Sequence, residues 1–249
     1  MKRALRLIVV LALAILVMGG CTVLVWASRA SAPMPQALAA LQSDDKVEVS
    51  INHWLAFSPH DVAPTTGLII YPGAKVDARA YAPTARAIAE QGYLVVIVPM
   101  PLNLAFFGSN KAADVIKAYP DIQRWAIAGH SLGGILAANF AGSHTEQVPG
   151  AIFWASYPSN QNDLSAKPLK TLSIYGTRDG LVTADNIANS HRLLPPDATW
   201  VPIEGGNHAQ FGWYGPQDGD QPATISREQQ TQQIVDATVG FLKSLRQPN

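Results

Sequence analysis

Residues 124–134 read Arg124-Trp125-Ala126-Ile127-Ala128-Gly129-His130-Ser131-Leu132-Gly133-Gly134, and an Ala-rich stretch runs on to Ala141. The apolar run Trp125–Ala128 has the character of a strand, and Leu132–Ala141 has the character of a helix. Gly129-x-Ser131-x-Gly133 therefore falls on a tight strand-to-helix turn. Such a turn holds its serine at strained backbone angles, and small residues two before and two after let the chain reverse without clashes. The helix N-terminus then aims its amides at negative charge developing beside the serine.

The same alternation extends outward in both directions. Gly67–Tyr71 and Tyr93–Val98 read as buried strands upstream, and Gly150–Ala155, Leu172–Tyr175 and Thr199–Ile203 read as strands downstream. Ala78–Gln91 has helical spacing and stops at Gly92, and Lys111–Ala118, Thr183–Leu193 and Arg227–Leu245 are also helical. Lys46–Phe57 alternates polar and apolar, which predicts one half-exposed strand of antiparallel type. Strands separated by crossover helices predict an α/β domain with a mostly parallel central sheet and helices on both faces.

A serine hydroxyl is a weak nucleophile at neutral pH and needs a base, which in turn needs an orienting carboxylate. Serine turns of this kind are completed in the chain order Ser, acid, His. Asp179 stands in Gly176-Thr177-Arg178-Asp179-Gly180, and His208 ends Gly205-Gly206-Asn207-His208. Both lie just past the carboxyl ends of strands, where open α/β sheets place their sites. Taken singly, an Asp before Gly is a common turn residue and a lone His is commonly structural. Their order and placement together favour the pair. His53 and His60 precede the central strands, His144 and His191 fall late on or after helices, and His130 is directed away from the serine by adjacency. An oxyanion hole needs two preorganised backbone donors. One is expected from Leu132, and the other from Pro72-Gly73-Ala74-Lys75, with Ala74 favoured over Lys75.

Composition narrows the field further. The chain has 249 residues, a size that suits one α/β domain. Apolar residues make up 48% and charged residues 14%, the latter well below the roughly 25% usual for soluble domains, and intrinsic disorder is excluded. Eighteen basic and eighteen acidic side chains cancel, so no excess charge exists to meet nucleic acid. A single cysteine, Cys21, excludes an internal disulfide and a cysteine-rich zinc site. Neither a dinucleotide fingerprint nor a P-loop occurs, and no cofactor or metal is expected.

Leu7–Ala27 is a run of 21 uncharged residues preceded by Lys2, Arg3 and Arg6. As a helix it would span roughly 30 Å, with the rest of the chain on the extracytoplasmic side. Three fates fit: a retained transmembrane anchor, a lipoprotein signal with Met18-Gly19-Gly20-Cys21 as lipobox, or a signal peptide cut after Ala30-Ser31-Ala32. A buried core helix fits poorly. The expected organisation is a membrane segment over residues 1–27, a linker rich in Ala, Ser and Pro over 28–44, and a folded domain over 45–249. Oligomeric state is left open.

Tyr71-Pro72-Gly73-Ala74-Lys75-Val76, Gly129–Gly134, Gly176–Asp179 and Gly205–Gly212 together resemble the α/β-hydrolase superfamily, and more narrowly its α/β hydrolase fold-5 branch, related to the dienelactone-hydrolase-like group. The resemblance extends over most of residues 66–245. It implies the three-layer α/β-hydrolase fold and a serine hydrolase that cleaves small-molecule carboxylic esters without a cofactor, through Ser131, Asp179, His208 and the amides of Leu132 and Ala74. There are two departures. Pro72-Gly73 stands where many members have His-Gly, and Ser131 stands where dienelactone hydrolases proper carry cysteine, which argues against dienelactone as substrate. The same triad would also serve acyl transfer or amide and thioester cleavage, and a binding module without catalysis is the reading from another class. Lids in this superfamily commonly follow the strand after the nucleophile helix. Only Ser156–Lys170, 15 residues, is available there, which predicts an open site without a large lid, suited to short soluble esters. Its expected walls are the loops Pro99–Gly108 and Gln210–Gly215, with Leu102, Leu104, Phe106, Phe107, Phe211, Trp213 and Tyr214.

Overall fold

The computed structural model describes Arg6, residues 11–20, Thr22, and residues 30–103 and 108–246. Most of the expected membrane segment, Cys21 included, lies outside the described residues, although residues 11–20 are helical. Among the described residues no helix is long and apolar enough to cross a membrane.

The strands are β1 (Val47–Ile51), β2 (Leu55–Pro59), β3 (Thr66–Tyr71), β4 (Leu94–Ile97), β5 (Arg124–His130), β6 (Gly150–Trp154), β7 (Lys170–Gly176) and β8 (Thr199–Ile203). They form one sheet in the order β1-β2-β4-β3-β5-β6-β7-β8. Strand β2 runs antiparallel to β1 and β4, and every other pairing is parallel. Parallel neighbours need crossovers, and helices supply them except between β6 and β7.

The helices are α1 (Pro35–Ala39), α2 (Ala82–Ala89), α3 (Lys111–Ala118), α4 (Leu132–Ser143), α5 (Ala184–Ser190) and α6 (Arg227–Arg246). Successive residues of a strand point to opposite faces. Leu68, Ile70, Ala126, Ala128, Ile152 and Trp154 thus face one core together with α2 and α6 residues such as Ile88 and Leu242. Ile69, Tyr71, Trp125, Ile127, Ala151 and Phe153 face a second core with Val115 of α3 and Ala137 of α4. Both faces being dry explains the unbroken apolar runs of the central strands. Gly67 makes room for one large ring, since a Cβ there would stand 2.4 Å from Trp125.

Three expectations change. Lys46–Phe57 is not one strand but a β1–β2 hairpin that turns at Asn52-His53-Trp54. The Asn52 amide donates to Trp54 O at 3.1 Å and its side chain donates to Ser50 Oγ at 3.1 Å, which closes a turn that alternation alone does not reveal. Ala78–Gln91 opens as a 3₁₀ turn, Ala78–Tyr81, capped by Asp77, before α2 begins with proline in its first turn. Residues 31–44, expected as linker, pack onto the domain. Ser31 bridges Val76 and Pro33 bridges Tyr214. Ala37 of α1 is fully buried, and Arg86 of α2 donates to Ala40 O at 3.0 Å and pairs with Asp44 at 2.7 Å.

Residues 155–169, between β6 and β7, contain no helix. The carboxyl ends of β3, β5, β7 and β8 therefore rise to a face that no inserted lid covers after β6.

Candidate active site

Strand β5 ends in the turn that carries Ser131, and α4 starts at the next residue. Ser131 has φ 52° and ψ −125°, a conformation that costs a side chain about 1–3 kcal/mol and persists only where the surroundings impose it. The surroundings do so. Ser131 N donates to Trp154 O at 3.1 Å, and Ser156 Oγ donates to Ser131 O at 2.6 Å. A Cβ at Gly129 would stand 2.3 Å from Gly133 O, and one at Gly133 would stand 2.3 Å from Tyr71 O. Backbone packs on backbone at both positions, so both must be glycine. Ser131 is half-buried while His130 before it and Gly133 after it are buried.

Asp179 follows β7 and His208 follows β8, and the two side chains meet. Asp179 Oδ2 lies 2.8 Å from His208 Nδ1, with both side chains fully buried. The other carboxylate oxygen accepts the amides of Leu181 at 2.8 Å and Val182 at 2.7 Å. Asp179 thus acts only as an acceptor, which puts the imidazole proton on Nδ1 and leaves the Nε2 lone pair available. His208 Nε2 is buried and has no hydrogen-bond partner among the described residues. The structure joins acid to histidine, and no hydrogen bond joins Ser131 to His208.

The histidine loop is held by residues that the sequence did not single out. Asp220 accepts the His208 amide at 3.2 Å, the Ala209 amide at 2.9 Å and the Gly180 amide at 3.1 Å, so one carboxylate clasps the Asp179 turn to the His208 turn. Helix α6 adds three side chains. Gln230, fully buried, both accepts from Asn207 N at 3.0 Å and donates to Asn207 O at 2.8 Å. Arg227 donates to Ala209 O at 2.9 Å and also to Gly212 O. Thr231 accepts from the Trp213 indole at 3.1 Å. The signals for these residues were faint: a carboxylate in a Gly- and Pro-bearing loop, and polar positions on the inner side of a helix.

In the loop after β3, Gly73 N donates to Tyr81 Oη at 2.9 Å and Lys75 N donates to Asn103 O at 2.8 Å. The Ala74 amide between them has no acceptor among the described residues. Lys75 holds φ at 56°, part of the same tight turn. Leu132 is the first residue of α4, where an amide has no acceptor within its helix.

His130 is not simply turned away from the site. It is fully buried, with Nδ1 2.8 Å from Tyr81 Oη and its ring centroid 4.5 Å from that of His208. Phe211 stacks on it at 5.7 Å. Burial first, and the nearby His208 second, hold its pKa well below the ordinary histidine value, so the ring is neutral. Burial raises the Tyr81 pKa, so its hydroxyl stays protonated. Having accepted from Gly73, that hydroxyl gives its own proton to His130 Nδ1.

The described rings of the expected apolar wall pack into the core. Phe211 and Tyr214 are fully buried and Trp213 is 7% exposed, so these rings belong to the core. Leu104, Phe106, Phe107 and the Leu102 side chain lie outside the described residues.

Comparisons with known proteins agree with this layout. A family model described as "Alpha/beta hydrolase family" matches residues 67–232. A search of curated proteins finds no match. Among solved structures, the fold is similar to Thermogutta terrifontis esterase 2 phosphorylated by paraoxon, with 16% identity, a TM-score of 0.59, and 82% of this chain and 96% of that chain covered. It is also similar to carboxylesterase CesB from Bacillus subtilis, with 12% identity, a TM-score of 0.57, and 84% and 95% covered. A predicted CIB-like hydrolase from Thermoplasma acidophilum gives 16% identity, a TM-score of 0.59, and 80% and 98% covered.

Proposed function

Because this chain belongs to the alpha/beta hydrolase family, we propose that it is a serine hydrolase of carboxylic esters. The observation that carries the reading is the buried Asp179–His208 pair, whose imidazole lies 4.5 Å, centroid to centroid, from that of His130, the residue before the strained Ser131, in the required chain order. Ser131 Oγ attacks the acyl carbon while His208 Nε2 takes its proton. The new negative charge on the acyl oxygen is met by the amides of Leu132 and Ala74. The tetrahedral adduct collapses, the alcohol leaves with the proton from His208, and the acyl group stays on Ser131. Water, deprotonated by His208, then releases the acid and restores the serine. Asp179 fixes the imidazole tautomer and stabilises the imidazolium. Two similar structures are esterases by description, and one of them is phosphorylated by paraoxon, the behaviour expected of an activated nucleophile.

We place the domain on the extracytoplasmic side, held to the membrane by residues 1–27. The uncharged run behind a basic cluster supports that placement. The central experiment is labelling by a fluorophosphonate probe together with turnover of p-nitrophenyl esters. Wild-type protein is expected to label once and to turn over, and Ser131→Ala to do neither. Labelling that persists in Ser131→Ala would place the nucleophile elsewhere.

A further inference from the structure

The segment that leaves the expected membrane run is stitched to both loops that build the candidate site. Ser31 N donates to Lys75 O at 2.7 Å, and Asp77 N donates back to Ser31 O at 3.2 Å, which makes an isolated parallel bridge to the loop containing Ala74. Two residues on, Pro33 bridges Tyr214, and Met34 N donates to Trp213 O at 2.8 Å, within the loop that follows His208. Helix α1 then anchors the far end through Ala37 and the Arg86 contacts to Ala40 and Asp44. The chain therefore enters the domain at the carboxyl-end face of the sheet, the face that carries Ser131.

The distance along the chain is short. The uncharged run ends at Ala27, and Ser31 is already bonded beside Ala74. Four residues reach at most about 14 Å when fully extended. A domain entered from its opposite face, or after a long linker, would leave its site free to point anywhere. Here the attachment point and the site share a face, and the 155–169 segment puts no helix over it.

We infer that this strap holds the mouth of the site against the membrane surface, and that the substrates are acyl esters carried in the outer leaflet rather than esters free in solution. The inference rests on the ester-hydrolase reading and on residues 7–27 lying in the bilayer. Its physical basis is effective concentration. A short tether confines the site to the layer where an amphiphilic ester is concentrated, and affinity for dilute soluble ester is then not needed. No helix between β6 and β7 has to move before a leaflet-borne acyl ester can enter. A cut after Ala32 would remove Ser31 and its two bonds, so the strap also requires the N-terminal segment to be retained.

The test uses the full chain reconstituted in phospholipid vesicles. A fluorogenic long-chain ester is embedded in the bilayer, and p-nitrophenyl butyrate is supplied in solution. A flexible 15-residue Gly/Ser insertion between Arg29 and Ala30 leaves every strap contact in place and adds a slack of about 20 Å. The insertion is expected to lower turnover of the embedded ester about tenfold and to leave the soluble ester rate and the melting temperature unchanged. Equal turnover of the embedded ester with and without the insertion overturns the inference. So does hydrolysis of the soluble ester alone, or a mature chain that begins after residue 32. If neither ester is cleaved and the fluorophosphonate probe does not label, the ester-hydrolase reading itself fails and the inference falls with it.

Discussion

Tyr81 Oη lies 2.8 Å from Nδ1 of His130, and this enclosed pair links the loop after β3 to the strand that presents Ser131. The same hydroxyl accepts the Gly73 amide at 2.9 Å, next to the Ala74 amide that no group among the described residues accepts. Removing the hydroxyl leaves a buried donor and a buried acceptor without partners. Tyr81→Phe should therefore cost about 1–3 kcal/mol of stability. Because the Gly73–Ala74 turn loosens, kcat should fall while KM changes little. Denaturant unfolding and steady-state kinetics on one soluble ester check both halves. A variant with normal kcat would detach Tyr81 from the site.

Acid should weaken the fold through His130. Its folded pKa is depressed well below the ordinary value near 6.5 by burial and by His208. The unfolded chain then binds a proton that the folded chain refuses, so stability is full above about pH 6.5 and is lost as pH falls below it. The slope is up to about 1.4 kcal/mol per pH unit for one such group. Unfolding free energies at pH 7.5, 6.5 and 5.5 should show the decline. In His130→Asn, whose amide oxygen can still accept from Tyr81, the decline should be shallower. Parallel slopes would assign the acid sensitivity to other groups.

Asp179→Asn should lower kcat by roughly 10⁴, since the amide would hold His208 in the wrong tautomer. The fold should survive, because an Asn oxygen still accepts from Leu181 and Val182. Asp163→Asn, at an exposed position, should behave as wild type. Melting curves beside kinetics separate a lost reaction from a lost fold.

Ser131 should combine lost activity with a fold that keeps or gains stability. Ser131→Ala should be inactive and about as stable as wild type. Ser131→Gly should be inactive and more stable by about 1 kcal/mol, because glycine occupies φ 52° without the strain a Cβ brings. A destabilised Ser131→Gly would mean the turn is not strained in solution.

Much of this was legible from local pattern. The central strands are buried on both faces, so their apolar runs stood out, and the turn glycines declared a close approach that the Gly133-to-Tyr71 contact makes visible. The chain positions of Asp179 and His208 followed from strand ends. The hairpin at Asn52 escaped because a two-faced edge strand and a hairpin share one alternation. The strap at Ser31 and Pro33 escaped because a bridge to residues 76 and 214 depends on distant partners and leaves no period in the chain. The surroundings of the His130 ring were hidden for the same reason. Adjacency fixes where its backbone goes, but Tyr81 and Phe211 decide where its ring rests.

The last helix carries one more consequence. Gln230, Arg227 and Thr231 are what hold the loop from Asn207 to Trp213. They follow all eight described strands in a chain that is made from its amino end. Ser131 and Asp179 emerge from the ribosome well before the group that positions His208 exists. A nascent chain that has completed β8 can fold most of its sheet and still lack the side chains that hold the His208 loop. On the proposed mechanism, activity waits until residues 227–231 have been made, and a chain truncated before residue 227 should be inert even where its sheet has formed.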